Sequence, residues 1–301
     1  MPASSSHARL NAKPGEMVAS LCDPVFGGST GTLTPDGMMR IAVLADIHGN
    51  LLALQAVLAD LERRGADLVV DLGDCVSGPL WPRETLQLLA ELRAPTVRGN
   101  HDRQVATLLP QEMGPSDHFA HGELTPRERA RLGDLPKTAV VAEGVLACHG
   151  TPERDDAYLI EEIADGRLRP ARPEAVAERL RDEGAGEADS RVVLCGHSHR
   201  PGLVWLQGGR LVLNPGSVGG PAYEDTSPPH VSESGSPLAR YALLDLDPLA
   251  AGLGQPLGSA VRAVELLAVP YAHEEAARRA EANERPDWAH ALRTGFSLGP
   301  G

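Results

Sequence analysis

Five short motifs place metal-ligand side chains at separate points of this 301-residue chain. The motifs are Asp46-Ile47-His48, Gly73-Asp74, Gly99-Asn100-His101-Asp102, Cys148-His149 and Gly196-His197-Ser198-His199. Mixed carboxylate, amide and imidazole donors suit divalent ions such as Mn, Fe, Co, Ni or Zn. The candidate metal ligands are therefore Asp46, His48, Asp74, Asn100, His149, His197 and His199.

The spacing within the motifs indicates two neighbouring ions. Asp46 and His48 are two residues apart, so in an extended segment both side chains point the same way. His197 and His199 share this spacing and can address two adjacent ions. The Asp74 carboxylate has two oxygens and can bridge two cations. Two divalent cations about 3.5 to 4 Å apart form a clamp suited to in-line displacement at phosphorus.

Residues beside the ligand motifs are candidates for catalysis and substrate binding. His101 is free to transfer a proton or to stabilise charge on a leaving oxygen, and Asp102 could orient its ring. Asn100 and His101 are also candidate substrate contacts. A planar guanidinium matches phosphate oxygens, although a solvated surface charge is an equal alternative for each arginine. The arginines beside the motifs are Arg98, Arg103, Arg154 and Arg200, of which Arg103 and Arg200 are assigned to the substrate.

Several other polar residues have structural interpretations. The histidines expected to be surface or packing residues are His118, His121, His230 and His273. The acidic cluster expected to be a solvated helical face is Glu153, Asp155, Asp156, Glu161 and Glu162. Three cysteines adjoin the motifs, but they form no C-x-x-C pair. They are therefore interpreted as small buried residues at strand ends.

The elements that must position the motifs alternate between strands and helices. From Arg40 onward, short apolar runs alternate with segments of helical period, which is typical of βαβ units around a mainly parallel sheet. The predicted strands span 41–45, 68–72 and 95–98, with a helix from Leu51 that ends at Gly65 and another over 82–92. Because strand carboxyl ends gather ligands in open α/β sheets, the motifs are expected to converge.

The later part of the chain predicts a partly antiparallel sheet. Thr125-Pro126-Arg127-Glu128 is a capping box that opens a short helix. The other predicted elements are strands at 138–142, 145–148, 191–195 and 241–246, a helix at 175–181 and a hairpin turn at 207–209. Residues 221–237 are rich in Pro and Ser and are expected to form a mobile loop. Residues 257–297 are mostly helical in pattern.

Composition narrows the classes of function. A chain with 42% hydrophobic residues can bury a real core, and its net charge of -13 opposes stable nucleic-acid binding. No apolar run reaches the roughly 18 to 20 residues that span a bilayer, and no secretory signal pattern is seen, so we expect a cytoplasmic protein without a membrane partner. Residues 1–38 are expected to be a disordered tail, with the natural start at Met38 or Met39 as a hypothesis.

Taken together, the motifs resemble those of the calcineurin-like metallophosphoesterase superfamily, especially its small stand-alone bacterial and archaeal phosphodiesterases. The resemblance covers residues 39 to 250 and also includes the Asn214-Pro215-Gly216-Ser217 turn. It implies a four-layer αββα sandwich, in the α/β (α+β) class, in which two mixed β-sheets are flanked by helices. It also implies a metal centre at one edge of the sandwich.

The resemblance further implies how the ligands are shared. One ion would be held by Asp46, His48, Asp74 and His199, and the other by Asp74, Asn100, His149 and His197. His101 would be the general acid or transition-state donor. The cofactors would be two divalent metal ions, with Mn²⁺ first and Fe, Ni, Co, Zn or Mg as alternatives. The implied reaction is hydrolysis of a P–O bond in a small phosphate ester by a hydroxide that bridges the metals.

The second motif departs from part of this superfamily. It continues from Gly73 to Pro79 without the Asp-Arg-Gly extension of Ser/Thr protein phosphatases and symmetrical dinucleoside-tetraphosphate hydrolases. Those two assignments therefore lose weight, and monoesters and diesters both stay open as substrates. The alternative to an enzyme is a non-catalytic binding scaffold on the same fold. We expect one domain over 39–301, with helical cap insertions at 104–137 and 152–190 and a helical C-terminal segment at 257–297. The sequence makes no prediction about the oligomeric state.

Overall fold

The computed structural model describes residues 37–181, 190–247 and 260–299. Residues 1–36 of the expected tail lie outside this range, so that expectation stays a prediction. The strands are β1 (Met39–Leu44), β2 (Leu68–Asp71), β3 (Thr138–Ala142), β4 (Val145–Cys148), β5 (Glu161–Ala164), β6 (Arg167–Pro170), β7 (Val192–Leu194), β8 (Pro201–Trp205), β9 (Leu211–Pro215), β10 (Ala222–Thr226), β11 (Pro229–Glu233), β12 (Ala239–Leu246) and β13 (Val261–Val269). The helices are α1 (Leu51–Arg64), α2 (Pro82–Leu92), α3 (Asn100–Thr107), α4 (Pro115–Glu123), α5 (Pro126–Gly133), α6 (Pro173–Arg179), α7 (His273–Ala282) and α8 (Pro286–Thr294), with a 3-10 helix at Pro110–Glu112.

Two mixed sheets form the centre of the fold, which confirms the predicted sandwich. The first sheet has the order β13-β12-β1-β2, and the second has the order β3-β4-β7-β9-β8. β1 and β2 are parallel, whereas β12 is antiparallel to β1. One apolar cluster contains inward-facing residues of both sheets, such as Val43 of β1 and Leu194 of β7. The two sheets therefore face each other across a shared core.

Helices cover the outer faces of the two sheets. Leu44 of β1 packs in one cluster with Leu54 of α1 and Leu88 of α2. Val193 of β7 packs in another cluster with Val176 of α6. These contacts give the four layers of the predicted αββα arrangement. No helix among the described residues is long and apolar enough to cross a bilayer.

Helix α1 shows how local sequence sets the elements at the site. The Asn50 side chain accepts a hydrogen bond from the amide of Ala53 and caps the helix, and Gly65 ends it with a φ of 75°. Its apolar residues recur at helical spacing and are buried against the first sheet. The helix begins two residues after Gly49, so its packing fixes the position of the loop that carries Asp46 and His48.

A third sheet, with the order β10-β11-β6-β5, was not predicted. The expectation of a mobile loop at 221–237 is wrong, because β10 and β11 pair antiparallel over five residues. The acidic segment before α6 also contains strands, β5 and β6, rather than helix alone. Pro- and Ser-rich composition disfavours a strand, but here the main chain of the segment pairs across the sheet and Ser232 is buried.

Other elements agree with the sequence or differ from it in part. The structure confirms the helix at Pro82–Leu92, the capping box at Thr125 and the β3–β4 hairpin. The predicted strand at 95–98 is reduced to one isolated bridge between Asp71 and Thr96. The C-terminal segment begins with β13, which pairs along β12, and only then becomes helical.

Candidate metal centre

Asp46, His48 and His199 form one group of potential metal ligands, and their donor atoms lie within 4.8 Å of one another. His48 Nδ1 lies 2.6 Å from the carbonyl of Ser77, and His199 Nδ1 lies 2.5 Å from the carbonyl of Gly220. A carbonyl oxygen only accepts, so both Nδ1 atoms carry the hydrogen in the neutral rings. Their Nε2 lone pairs then face each other at 2.9 Å. A cation between them would remove this repulsion.

Asp74, His149 and His197 form a second group, whose donor atoms also lie within 4.8 Å of one another. His149 Nδ1 donates to the carbonyl of Leu72 at 2.7 Å, which directs Nε2 into the centre. Asp74 Oδ2 lies 3.2 Å from His149 Nε2 and 3.9 Å from His48 Nε2. The Asp74 carboxylate therefore reaches both groups, as a bridging ligand must.

Three buried atoms that could bind a metal have no hydrogen-bond partner among the described residues. They are Asp46 Oδ2, Asn100 Oδ1 and His149 Nε2. His149 Nε2 is near Asp74, but outside hydrogen-bonding geometry. Asn100 is the first residue of α3 and is only 5% exposed. A buried polar atom without a partner costs about 1 to 3 kcal/mol, so these atoms fit metal coordination better than a purely structural role.

Five of the candidate ligands lie in the left-handed backbone region, with φ between 50° and 66°. The assumption that Asp46 and His48 lie on extended chain is therefore wrong, although their side chains do converge. Left-handed backbone costs a non-glycine residue roughly 1 to 2 kcal/mol, and such strain is concentrated at functional sites. The strained residues are Asp46, His48, Asp74, His197 and His199.

Two glycines allow the close approach of the ligand loops. A Cβ atom at Gly99 would lie 2.1 Å from Asp74 Oδ1, which is a clash with a candidate ligand. A Cβ atom at Gly220 would lie 2.9 Å from the His199 ring and 3.0 Å from the His48 ring. Glycine at these positions lets the neighbouring main chain pack directly against the ligand side chains.

The electrostatics of the centre favour positive charge between the ligands. Burial raises the pKa of Asp46 to about 8 and lowers the pKa of His48 to about 4. Burial also opposes a charge on His149, but the carboxylates of Asp74 and Asp46 raise its pKa to about 10. In the same way, burial opposes ionisation of Asp74, but His149 and His101 hold its pKa well below the usual value. A bound divalent cation would supply the positive charge that a protonated His149 provides in the metal-free protein.

His101 is held by a carboxylate that the sequence did not reveal. Its Nδ1 lies 2.8 Å from Asp117 Oδ1, and the same oxygen accepts from Ser77 Oγ at 2.6 Å. Asp117 is a residue of α4 and is 3% exposed. Burial opposes a charge on His101, but Asp74 and Asp117 raise its pKa to about 9. The ring centre lies 5.6 Å from that of His48, at the edge of the metal centre.

The prediction that Asp102 orients the His101 ring is wrong. The Asp102 carboxylate is fully buried and accepts hydrogen bonds from the amides of Asp74, Cys75 and Gly99 at 2.8 to 3.0 Å. These bonds join the second and third ligand motifs. Asp102 therefore shapes the loops that carry Asp74 and Asn100, while the His101 ring bonds to Asp117 instead.

The two arginines assigned to the substrate are directed to protein partners. Arg103 makes two hydrogen bonds to Asp155, at 2.7 and 2.8 Å. Arg200 donates to the carbonyl of Leu168 at 2.8 Å, and it lines a cavity of about 310 Å³ that includes none of the seven candidate ligands. The geometry thus does not support the predicted substrate contacts of Arg103 and Arg200.

Some polar residues interpreted as structural lie against the centre. The expected solvated helical face is wrong for Asp155 and Glu161, which are buried outside any helix, whereas Glu153, Asp156 and Glu162 are exposed. His230 is 5% exposed, which agrees with its interpretation as a packing residue. Glu161 Oε1 accepts a hydrogen bond from Ser198 Oγ, between two candidate ligands. The ring of Tyr158 stacks on His197. No local motif marks these residues, because they lie in separate elements: Glu161 in β5, His230 in β11 and Tyr158 in the loop before β5.

Comparisons with known proteins agree with this architecture. The metallophosphoesterase from Sphaerobacter thermophilus is 23% identical, with a TM-score of 0.61 over 86% of this chain and 99% of that one. The hypothetical protein PH1004 from Pyrococcus horikoshii OT3 is 20% identical, with a TM-score of 0.62 over 86% of this chain and 100% of that one. At these identities the likeness concerns the fold.

A closer but shorter match exists in sequence. The uncharacterized protein MJ0912 of Methanocaldococcus jannaschii is 47% identical over 62 residues, which are 21% of this chain and 26% of that protein. The match therefore spans about a quarter of the relative's length. Residues 39–233 match the family model of the calcineurin-like phosphoesterase superfamily domain, which includes every candidate metal ligand. The chain belongs to the calcineurin-like phosphoesterase superfamily.

Proposed function

We propose that this protein is a dinuclear metal-dependent phosphoesterase that hydrolyses P–O bonds. The observation that carries the proposal is the position of Asp74 Oδ2, within 3.9 Å of the imidazole nitrogens of both ligand groups. The buried side-chain atoms of Asp46, Asn100 and His149 that have no hydrogen-bond partner support the same conclusion. Most buried polar atoms in folded proteins are hydrogen-bonded, so three unpaired ligand atoms at one place support metal coordination there.

The residues divide between two ions as the resemblance implies. Asp46, His48 and His199 would hold one ion, while His149, His197 and Asn100 would hold the other, and Asp74 would contact both. When bound, two divalent cations neutralise charge on phosphoryl oxygens and lower the pKa of water towards neutrality, which is the chemistry that phosphoester hydrolysis needs. Mn²⁺ is the first candidate, with Fe, Co, Ni, Zn and Mg as alternatives.

His101 is the residue of this chain that we assign to proton transfer. It is half-buried, it borders the ligand groups, and Asp117 fixes its ring through Nδ1. Nε2 is therefore the nitrogen that is left to donate a proton to a leaving oxygen. In the metal-free protein Asp74 and Asp117 raise the pKa of His101, which favours the protonated ring. Asp117 is a positioning residue in this scheme, because it acts through His101.

The substrate that we propose is a small phosphate ester. The net charge of -13 opposes stable binding of a nucleic-acid backbone away from the cations. Both arginines assigned from the sequence bind protein partners, so neither identifies a particular substrate. Monoesters and diesters are therefore both included in the test.

The test is turnover by metal-reconstituted protein. We expect hydrolysis of bis-p-nitrophenyl phosphate or p-nitrophenyl phosphate with Mn²⁺, loss of turnover with excess chelator, and recovery when Mn²⁺ is returned. Cyclic nucleotides and dinucleoside polyphosphates extend the panel. Protein that binds two cations but turns over none of these esters would contradict the enzyme and favour a binding scaffold.

A further inference from the structure

The third sheet holds the turn that carries His197 and His199. Tyr223 of β10 donates from its hydroxyl to the carbonyl of His197 at 3.1 Å. Ser232 of β11 donates to the carbonyl of Ser198 at 2.5 Å. Each of these two strands therefore supplies one hydrogen bond to the main chain between the two histidines, in a segment where both histidines have left-handed backbone.

The imidazole rings of this turn are also packed by two tyrosines. Tyr158 stacks on His197, with ring centres 4.8 Å apart and planes inclined by 23°. Tyr223 packs edge-on against His199, with ring centres 4.6 Å apart and planes inclined by 67°. Aromatic contacts of this kind restrict the rotation of the ligand rings. The tyrosines thus act on both the main chain and the side chains of the turn.

A directed chain of hydrogen bonds links the two tyrosines to His230. His230 Nδ1 lies 2.7 Å from the carbonyl of Pro228, so it donates, and Nε2 is left as an acceptor. The Tyr158 hydroxyl lies 2.6 Å from that Nε2 and therefore donates to it. The same Tyr158 oxygen lies 2.7 Å from the Tyr223 hydroxyl, whose single hydrogen is shared between this oxygen and the carbonyl of His197. The chain fixes the place of both phenol rings.

We propose that Tyr223 and Tyr158 are positioning residues that preorganise His197 and His199 for metal binding. The inference rests on the proposed function of the centre. Residues that orient metal ligands from outside commonly change metal affinity by 10- to 100-fold. Tyr223 contacts both histidines and so acts on both ions. Of the two histidines, Tyr158 contacts only His197, so its stacked ring acts chiefly on the ion that Asp74, His149 and His197 would hold.

The experiment titrates Mn²⁺ into metal-free protein by isothermal titration calorimetry. It measures how many ions bind and the affinity of each site. Tyr223→Phe keeps the ring and removes the hydroxyl, and Tyr158→Leu removes the stacked ring. Tyr241→Phe is the matched control, since it removes a buried hydroxyl that donates to Asp60 far from the centre. We expect both sites to weaken by about 10-fold in Y223F, one site to weaken similarly in Y158L, and no change in Y241F.

The outcomes separate this inference from the proposed function. Wild-type protein that binds fewer than two Mn²⁺ ions would sink the dinuclear assignment itself. Wild-type protein that binds two, with unchanged affinities in Y223F and Y158L, would overturn the positioning role alone. Equal weakening in the Y241F control would also overturn it, because the effect would then be general destabilisation. If Y158L does not fold, Tyr158→Phe replaces it, with the same one-site weakening expected from loss of the bond to His230.

Discussion

The His48 and His199 rings face each other through their Nε2 atoms at 2.9 Å, while both Nδ1 atoms donate to backbone carbonyls. Burial lowers the pKa of both imidazoles, to about 4 for His48 and well below the usual value for His199. Two neutral rings therefore direct lone pairs at each other. A positive charge between the two nitrogens would remove the repulsion between these lone pairs.

Metal binding is consequently expected to stabilise the fold. At a free Mn²⁺ concentration 100 times the dissociation constant, one site adds about 2.7 kcal/mol, or roughly 5 to 10 °C in Tm for a chain of this size. Differential scanning fluorimetry with Mn²⁺ and with excess chelator measures the shift. His48→Ala should reduce this Tm shift. His118→Ala should leave the Tm shift unchanged, because His118 is an exposed residue of α4. An equal shift in the H48A variant would contradict the ligand role.

Asp74→Asn is expected to abolish activity and to weaken metal binding by at least about 100-fold. The amide keeps the size of the side chain but removes the negative charge that lies near His48 and His149. Metal content after dialysis and turnover of bis-p-nitrophenyl phosphate check both effects. Asp165→Asn is the matched control, since Asp165 is an exposed turn residue with a left-handed φ that asparagine tolerates. Turnover retained in D74N would exclude a bridging carboxylate.

His101→Ala is expected to keep both cations and to lose about 10²- to 10⁴-fold in kcat. The ring borders the ligand groups, but its Nδ1 is bound to Asp117. Metal stoichiometry and kcat, measured on the same preparation, separate the two properties. Loss of a cation in H101A would show that His101 is a ligand instead.

Asp117→Asn is expected to move the pH profile in a definite direction. Asp74 and Asp117 raise the pKa of His101, so removing one negative charge lowers that pKa. A general acid acts in its protonated form, and activity is lost as pH rises through its pKa. The alkaline limb of kcat should therefore move to lower pH in D117N. If the alkaline limb does not move in D117N, Asp117 does not act on the pKa of His101. Asp134→Asn, at the end of helix α5, is the control.

Glu161→Gln is expected to stabilise the metal-free protein above neutral pH by on the order of 1 to 3 kcal/mol. Burial raises the pKa of Glu161 to about 7, against the lowering effect of the Ser198 hydroxyl. Its unfolded pKa is near 4.5. Because the folded value is higher, stability is fully present below the unfolded pKa and is lost as pH rises towards 7. Urea unfolding of both proteins at pH 5 and pH 8 measures this, and no gain at pH 8 would refute it.

Local sequence patterns predicted the helices and strands correctly where residues close together in the chain determine the structure. The helix Pro82–Leu92 begins at a proline and buries residues at helical spacing, and the β3 and β4 strands pair antiparallel around a short turn. The same logic was wrong for residues 221–237, because their strands depend on pairing with one another and with β6. Composition carries no information about such long-range pairing.

The candidate site shows the same division. Its ligand types were visible because each motif is continuous in sequence, and four of the five motifs follow or end a strand. Asp117, Tyr158 and Glu161 had no such motif, since each reaches the centre from a separate helix, loop or strand. Asp102 was assigned from its place beside His101, although its carboxylate turns to backbone amides.

By itself, the sequence determined the set of seven candidate ligands, because each ligand motif is continuous in the chain. The superfamily and the sandwich followed from the resemblance that these motifs carry. Only the tertiary structure decided that five of those ligands have left-handed backbone, that Asp117 orients His101, and that a third sheet supports His197 and His199. The physical reason is that hydrogen bonds and ring contacts depend on distances of a few ångströms between residues far apart in the chain. Those distances arise only when the sheets are packed.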